Sequence, residues 1–325
     1  MCATILELKG IKKYYAVHGG FWGAKRHIVR AVEGVDLAIG NGETLGLVGE
    51  SGCGKSTLGR LILKLEKPSE GTILFEGHDI FQWEGKLLKD YRRMVQIIFQ
   101  DPYASLNPRR TAGSIIGEAL FIHGMNDRQE RMQQVSRLMD LVGLGRDKMD
   151  RYPHEFSGGQ RQRIGIARAI ALQPKLIVAD EPVSALDVSI QAQILNLLCD
   201  LQTDFGLTYL FITHDLGVLH HMSDRIAVMY LGKIVEIATS EKLYKRPMHP
   251  YTLALLSAVP VPVPGRQKDR IILGGDMPSP FHPPAGCAFH PRCPFRMDIC
   301  AKMEPALTDR DDGHRAACHL EHIAA

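Results

Sequence analysis

The chain has 325 residues, with 39 Lys and Arg against 36 Asp and Glu, a formal net charge of +3, and 45% hydrophobic content. That composition belongs to a folded globular protein and excludes a disordered or collagen-like chain, and so slight a charge over this length leaves no footprint for nucleic acid or a charged membrane surface. No run of about 18 apolar residues is present, which excludes a membrane-spanning helix, and the alternating residues 1–10 read as a strand instead of a secretory signal. The protein is therefore expected to stay in the cytoplasm.

In chain order, short β-branched runs alternate with longer helical patterns, which predicts an α/β fold on a mainly parallel sheet. The strands are expected at residues 5–8, 44–48, 95–99, 176–179, 208–212 and 226–230. Residues 101–173 form a helical insert between the third and fourth of these, with Met132, Val135, Leu138, Met139 and Val142 at helical spacing. Past residue 247, His249-Pro250-Tyr251 leads into one more short helix. Pro260, Pro262, Pro264, Pro278, Pro280, Pro283 and Pro284 then mark an extended surface linker, since proline supplies neither central strands nor helix interiors. Four of the seven cysteines, Cys287, Cys293, Cys300 and Cys318, crowd the end of the chain, whereas Cys2, Cys53 and Cys199 are scattered.

The segment Gly49-Glu50-Ser51-Gly52-Cys53-Gly54-Lys55-Ser56-Thr57 fits the phosphate-binding pattern G-x-x-x-x-G-K-[ST] and stands directly after an apolar strand and before a helix. Glycines let such a loop turn its amides toward phosphate oxygens, and the helix adds its positive end. Lys55 is placed for the β- and γ-phosphates, and Ser56 for Mg²⁺. A second apolar strand ends in Asp180-Glu181-Pro182, which brings a Mg²⁺-side carboxylate, Asp180, and a general base for water, Glu181, to the same kind of sheet edge.

Phe156-Ser157-Gly158-Gly159-Gln160, followed by Arg161-Gln162-Arg163, supplies a second anion-binding helix start. With it the chain resembles the nucleotide-binding subunits of ABC transporters, whose signature is L-S-G-G-Q; Phe156 replaces the leucine. The resemblance implies a P-loop NTPase cassette: a mainly parallel core, an antiparallel β part, a helical subdomain at about 101–173, and a small loop-rich C-terminal extension. The cassette would span residues 1–247 and the extension residues 248–325. By the same resemblance Gln100 touches Mg²⁺ or water and couples to the membrane subunit, and Asp187, in Ser184-Ala185-Leu186-Asp187, lies at a dimer seam. His214 contacts the γ-phosphate and Tyr15 stacks on adenine, with Tyr14 as the alternative. In that family each ATP is held between the P-loop of one cassette and the signature of another, so one copy of each motif implies a second cassette as partner.

His249-Pro250-Tyr251-Thr252, the proline-rich linker and the cysteine group resemble the C-terminal extension of oligopeptide and dipeptide importer ATPases. Gly52 to Arg60, and Gln100-Asp101-Pro102-Tyr103-Ala104-Ser105-Leu106-Asn107-Pro108, resemble in particular the second ATPase subunit of that branch. The resemblance implies a heterodimer with another ATPase chain, two permease subunits, a periplasmic or extracellular peptide-binding protein, and a peripheral place on the cytoplasmic face of the bacterial inner membrane. A related branch imports nickel chelates, and other solutes are the further alternative. A soluble ABC protein acting on DNA or ribosomes is disfavoured by the single cassette and by the lack of a basic stripe, and no nucleic-acid partner is expected. Glu181 and His214 are both in place, which argues against a regulatory module that does not hydrolyse ATP.

The cysteine spacing is C-x5-C-x6-C-x17-C, with Pro294 after Cys293. Four thiolates suit a 4Fe-4S cluster or a tetrahedral Zn²⁺, and the missing C-x2-C pairs and the Cys-Pro step favour the cluster. Four free or disulfide-linked cysteines remain an alternative, and His290, His314 or His319 could replace a cysteine ligand.

Overall fold

The computed structural model describes residues 3–18, 26–259 and 271–321. Cys2 and the linker prolines Pro260, Pro262 and Pro264 lie outside these residues. In chain order the elements are β1 (Thr4–His18), β2 (Arg26–Gly40), β3 (Thr44–Val48), α1 (Lys55–Ile62), β4 (Glu70–Phe75), β5 (His78–Asp79), α2 (Gly85–Met94) and β6 (Val95–Ile98). Then come α3 (Ala112–Ile122), α4 (Arg128–Leu141), α5 (Gly158–Ile170), β7 (Leu176–Asp180), α6 (Val188–Phe205) and β8 (Thr208–Thr213). The chain closes with α7 (Leu216–Met222), β9 (Arg225–Tyr230), β10 (Lys233–Thr239), α8 (Ser240–Lys245), α9 (Pro250–Ser257), β11 (Thr308–Asp311) and β12 (His314–Ala316).

Two compact units divide these elements, one holding residues 4–39, 44–81 and 212–325 and the other residues 1–3, 40–43 and 82–211. In the first, the P-loop unit, a sheet of order β2-β1-β4-β5 pairs β1 antiparallel with β4 and β4 antiparallel with β5. Its inward residues Leu6, Leu8, Ile11, Ile73 and Phe75 are fully buried, as alternation on a half-covered sheet requires. Beside it β3 runs parallel to β9, with Leu45 opposite Arg225 and Val48 opposite Val228. All five residues of β3, Thr44-Leu45-Gly46-Leu47-Val48, are buried, as in a strand covered on both faces.

Antiparallel strands then extend this part of the sheet, β10 on β9, β12 on β10 and β11 on β12. The last two belong to the C-terminal region, so this region is stitched to the unit by main-chain pairing of Glu236 with Ala316 and Ile237 with Arg315. Glu236 is completely buried in β10 and accepts the amides of Met248 at 2.7 Å and His249 at 3.0 Å, while Nε2 of the buried His314 lies 2.7 Å from Oε1. A buried carboxylate so surrounded fixes the start of α9 and the β12 strand together.

In the second, helical, unit β6 runs parallel to β7, Val95 facing Leu176 and Ile98 facing Ala179. Residues 101–173 contain α3, α4 and α5. Their apolar stripes, including Ile115, Ile116, Val135, Leu138, Met139, Ile164 and Ile170, are buried against one another. Asp127 caps α4 by accepting the Glu130 amide at 2.7 Å, and Thr111 caps α3. Among the described residues no helix is long and apolar enough to cross a membrane.

Candidate functional site

In the P-loop unit, β3 delivers the chain to the loop at residues 49–54, and α1 begins at Lys55. Two glycines are required by contact. A Cβ on Gly49 would fall 2.2 Å from the Met229 carbonyl oxygen, and one on Gly54, at φ +109°, 2.2 Å from that of Ala31. Lys55 is buried, and its Nζ donates to the carbonyls of Gly49 at 2.7 Å and Glu50 at 3.0 Å, which closes the loop over the ammonium. The N-cap of α1 is Gly54, which offers no side-chain cap, and the positive end of the helix faces the loop. Ser56 and Thr57 stand in this first turn, while Ser51 and Gly52 are exposed on the loop.

Cys53 is buried within the loop, 3.8 Å from Lys55 Nζ, and burial raises its thiol pKa; it packs under Gly49 and presents no reactive thiolate. Tyr15 is the tyrosine beside the helix: its hydroxyl bonds the Glu66 carboxylate, interacts with Thr57, and its ring lies 5.0 Å from Lys13 Nζ. Tyr14 instead donates to Glu33 at 2.8 Å. His214 follows β8 and is exposed, and Asp215, which caps α7 through the Gly217 amide at 2.7 Å, holds the turn after it.

The helical unit gathers the expected carboxylates and glutamine. Gln100, just past β6, donates from Nε2 to Glu181 Oε2 at 2.9 Å, joining two residues 81 positions apart in the chain. Asp180 ends β7, and Glu181 follows in the left-handed region at φ +46°, a conformation that a non-glycine residue holds only under local constraint. That constraint is the turn itself, since the Glu181 carbonyl accepts both the Ser184 amide at 3.3 Å and the Ser184 hydroxyl at 3.1 Å. Asp187 is the exposed N-cap residue of α6.

Ser157 caps α5 in a reciprocal box: its Oγ accepts the Gln160 amide at 3.4 Å, and Gln160 Oε1 accepts the Ser157 amide at 3.1 Å. Gln160 is thus engaged within the motif. Ser157 and Gly158 are exposed, whereas Gly159 is buried with room for no side chain, because its Cβ would meet Ile190 Cγ2 at 2.4 Å.

The four C-terminal cysteines are free thiols, and all four line one small pocket with His249, Phe289, His290 and His319. Burial raises the thiol pKa values of Cys287 and Cys318 and pushes that of Cys293 up to about 11. The amides two residues on, of Phe289, Phe295 and Leu320, oppose part of that rise at Cys287, Cys293 and Cys318. Yet among the described residues no group of three or more His, Cys, Asp or Glu side chains is arranged to hold a metal ion. The thiols converge on the pocket without standing at ligating positions. His314, expected as a substitute ligand, is engaged with Glu236, and His319 Nε2 lies 2.9 Å from the Met303 carbonyl.

Two further residues reach the P-loop that the sequence did not single out. Arg292 Nη1 donates to both carboxylate oxygens of Glu50 at 3.0 Å, and the Glu50 amide donates to the Tyr251 hydroxyl oxygen at 2.8 Å. They lie 242 and 201 positions from Glu50, beyond any local pattern.

Comparison with known proteins places these features in a family. Residues 32–184 match the family model described as ABC transporter, and residues 235–300 match that of the oligopeptide/dipeptide transporter C-terminal region. The oligopeptide transport ATP-binding protein AppF of Bacillus subtilis is 55% identical over 320 residues, covering 98% of this chain and 97% of that protein. A probable peptide ABC transporter ATP-binding protein of Sinorhizobium fredii, y4tS, is 50% identical over 100% of this chain and 92% of its own length. Among solved structures, the dimeric post-hydrolysis state of the ATP-binding cassette MJ0796 bound to ADP and Pi superposes with a TM-score of 0.65 at 30% identity, covering 73% of this chain and 99% of that one. The cbiO1 cassette of Clostridium perfringens gives 0.63 at 25% identity, over 75% of this chain and 91% of its own.

Proposed function

The chain belongs to the ABC transporter family of ATP-binding proteins and is an ATPase, and from that premise we propose that it powers the import of short peptides through a membrane transporter. The observation that carries the substrate class is the C-terminal region, whose match is to oligopeptide/dipeptide transporters and whose strands β11 and β12 are built onto the β9–β10 edge of the P-loop unit. In this reading the chain sits peripherally on the cytoplasmic face of the membrane, docks on two permeases fed by a peptide-binding protein, and pairs with a different ATPase chain.

The chemistry follows from the residues in place. Amides of residues 49–57 and the Lys55 ammonium hold the β- and γ-phosphates, and Tyr15 backs the adenine. Ser56, Asp180 and Gln100 would hold Mg²⁺, which when bound neutralises charge on the phosphate oxygens. Glu181 takes a proton from water as its oxygen bonds to the γ-phosphorus and the bond to the ADP oxygen breaks; the 2.9 Å bond from Gln100 orients that carboxylate. His214 contacts the γ-phosphate, and the helix start at Ser157, with Gly158 and Gly159, binds the γ-phosphate of the partner's nucleotide, with Asp187 at the seam.

We further read the four C-terminal cysteines as ligands of a 4Fe-4S cluster, with Zn²⁺ as the alternative. Support comes from their convergence on one pocket and from their being free cysteines. The group would fasten a region with few helices and strands of its own. Protein purified without oxygen should show broad visible absorbance that Cys293→Ser removes; a colourless preparation containing zinc selects the alternative.

The functional proposal is tested by expressing the chain with the permeases and second ATPase encoded beside it and following uptake of a labelled dipeptide. Uptake should stop when Glu181 is changed to Gln. Unchanged peptide uptake, or transport of a nickel chelate instead, would refute the reading.

A further inference from the structure

The P-loop contains a carboxylate that phosphate binding does not call for. Glu50 is the second residue of the loop, and a negative charge beside a site for a polyphosphate weakens the ligand's hold. In the structure that charge is cancelled from the C-terminal region: Nη1 of Arg292 is 3.0 Å from both Oε1 and Oε2 of Glu50. The Arg292 side chain is 9% exposed and that of Glu50 29%, so solvent screens the pair less than it does an ordinary surface ion pair. Burial opposes the guanidinium's charge, but the neighbouring Tyr230 and Glu50 outweigh that and hold its pKa above the usual arginine value.

The backbone of the same P-loop residue is held from the C-terminal side as well. The Glu50 amide donates to the Tyr251 hydroxyl at 2.8 Å. The Tyr251 ring packs against Tyr230 at 4.8 Å between centroids and against Phe289 at 5.4 Å, and Tyr230 meets Phe289 edge-on at 5.3 Å. Phe289 lies between Cys287 and Arg292, and Arg292 directly precedes Cys293. One aromatic cluster and one cation therefore join the cysteine region to the first turn of the P-loop.

We propose that Arg292 is a positioning residue of the nucleotide site: it cancels the Glu50 carboxylate and, with Tyr251, fixes the entry of the P-loop, which makes the C-terminal region a determinant of ATP affinity. It acts through Glu50 and not on the phosphates, and it does so whether the cysteines hold a cluster, zinc or protons. The proposal rests on the P-loop as the ATP site and is independent of the transported solute.

A double-mutant cycle on the full-length chain tests it, with a fluorescent ATP analogue for affinity and steady-state turnover for kcat and KM. Arg292→Gln should weaken nucleotide binding on the order of tenfold, the size of one lost charge-assisted contact, raising KM while kcat at saturation changes by less than about twofold. Arg292→Lys, which keeps the charge, should recover part of the loss. In a Glu50→Gln background the same Arg292→Gln change should alter affinity by less than about twofold, because no carboxylate is left to cancel. Equal losses in both backgrounds would show that Arg292 supports the fold of its region alone, and unchanged affinity on Arg292→Gln with Glu50 present would show no role; each overturns the proposal. A wild-type chain that binds no nucleotide would instead overturn the P-loop assignment beneath it.

Discussion

Two glycines of the P-loop, two residues apart, offer a controlled test of its geometry. Gly52 and Gly54 both have left-handed backbones, φ +79° and +109°. A Cβ added at Gly52 meets nothing nearer than Met277 Cε at 3.9 Å, whereas at Gly54 it falls 2.2 Å from the Ala31 carbonyl oxygen and 2.9 Å from Met229 Cε. Gly52→Ala therefore carries the conformational cost alone, about 1–2 kcal/mol. Gly54→Ala adds an overlap with backbone that is relieved only by moving β2 or the loop, roughly 1–3 kcal/mol more. Urea unfolding of the nucleotide-free chain should place Gly54→Ala about 2 kcal/mol below Gly52→Ala, with equal m-values. Indistinguishable midpoints would refute the claim that the Gly54 contact with β2 shapes the loop.

Burial lowers the His249 pKa to about 4, so below its ordinary value near 6.5 the unfolded chain takes up a proton that the folded chain excludes. Stability is complete above that value and should fall with pH toward 4 by up to about 1.4 kcal/mol per unit. His249→Asn, which keeps an acceptor for the Tyr251 amide, should flatten this slope between pH 7 and pH 5, and parallel slopes would contradict the assignment. At the signature, Gly159→Ala should lower ATPase activity with the partner chain severalfold, through the 2.4 Å overlap with Ile190 Cγ2, and Ile190→Ala should restore it because the obstacle is a side chain. Failure of that second change to restore activity would locate the defect elsewhere.

What was legible in the sequence tracks how local each determinant is. The strands at residues 44–48 and 176–179 are short buried runs, the strand at 95–98 is a half-buried one rich in β-branched residues, and the helical insert shows its period in Val135, Leu138 and Met139; these needed no partner to be read. β10 was missed because Glu236 interrupts its apolar run, and that charge is tolerated only because His314, Met248 and His249 surround it from elsewhere in the chain. β2 and β12 were missed for a related reason: antiparallel strands with one polar face are completed by their neighbours. At the site, the P-loop, Asp180, Glu181 and the signature are contiguous motifs and can be read without the fold. The strained backbone of Glu181 and the ion pair between Arg292 and Glu50 are products of folding, with no trace in residue spacing. The cysteine group was legible as a group that one pocket gathers, but no arrangement of three ligands is present among the described residues.

The central claim, that this chain hydrolyses ATP with Glu181 as the base, is tested most directly by Glu181→Gln. The substitution keeps the size of the side chain beside Gln100 and removes the proton acceptor. The account predicts that the variant binds ATP as tightly as wild type, loses at least about a hundredfold in turnover, and accumulates as an ATP-bound pair with its partner cassette on size-exclusion chromatography. Turnover at the wild-type rate would contradict it.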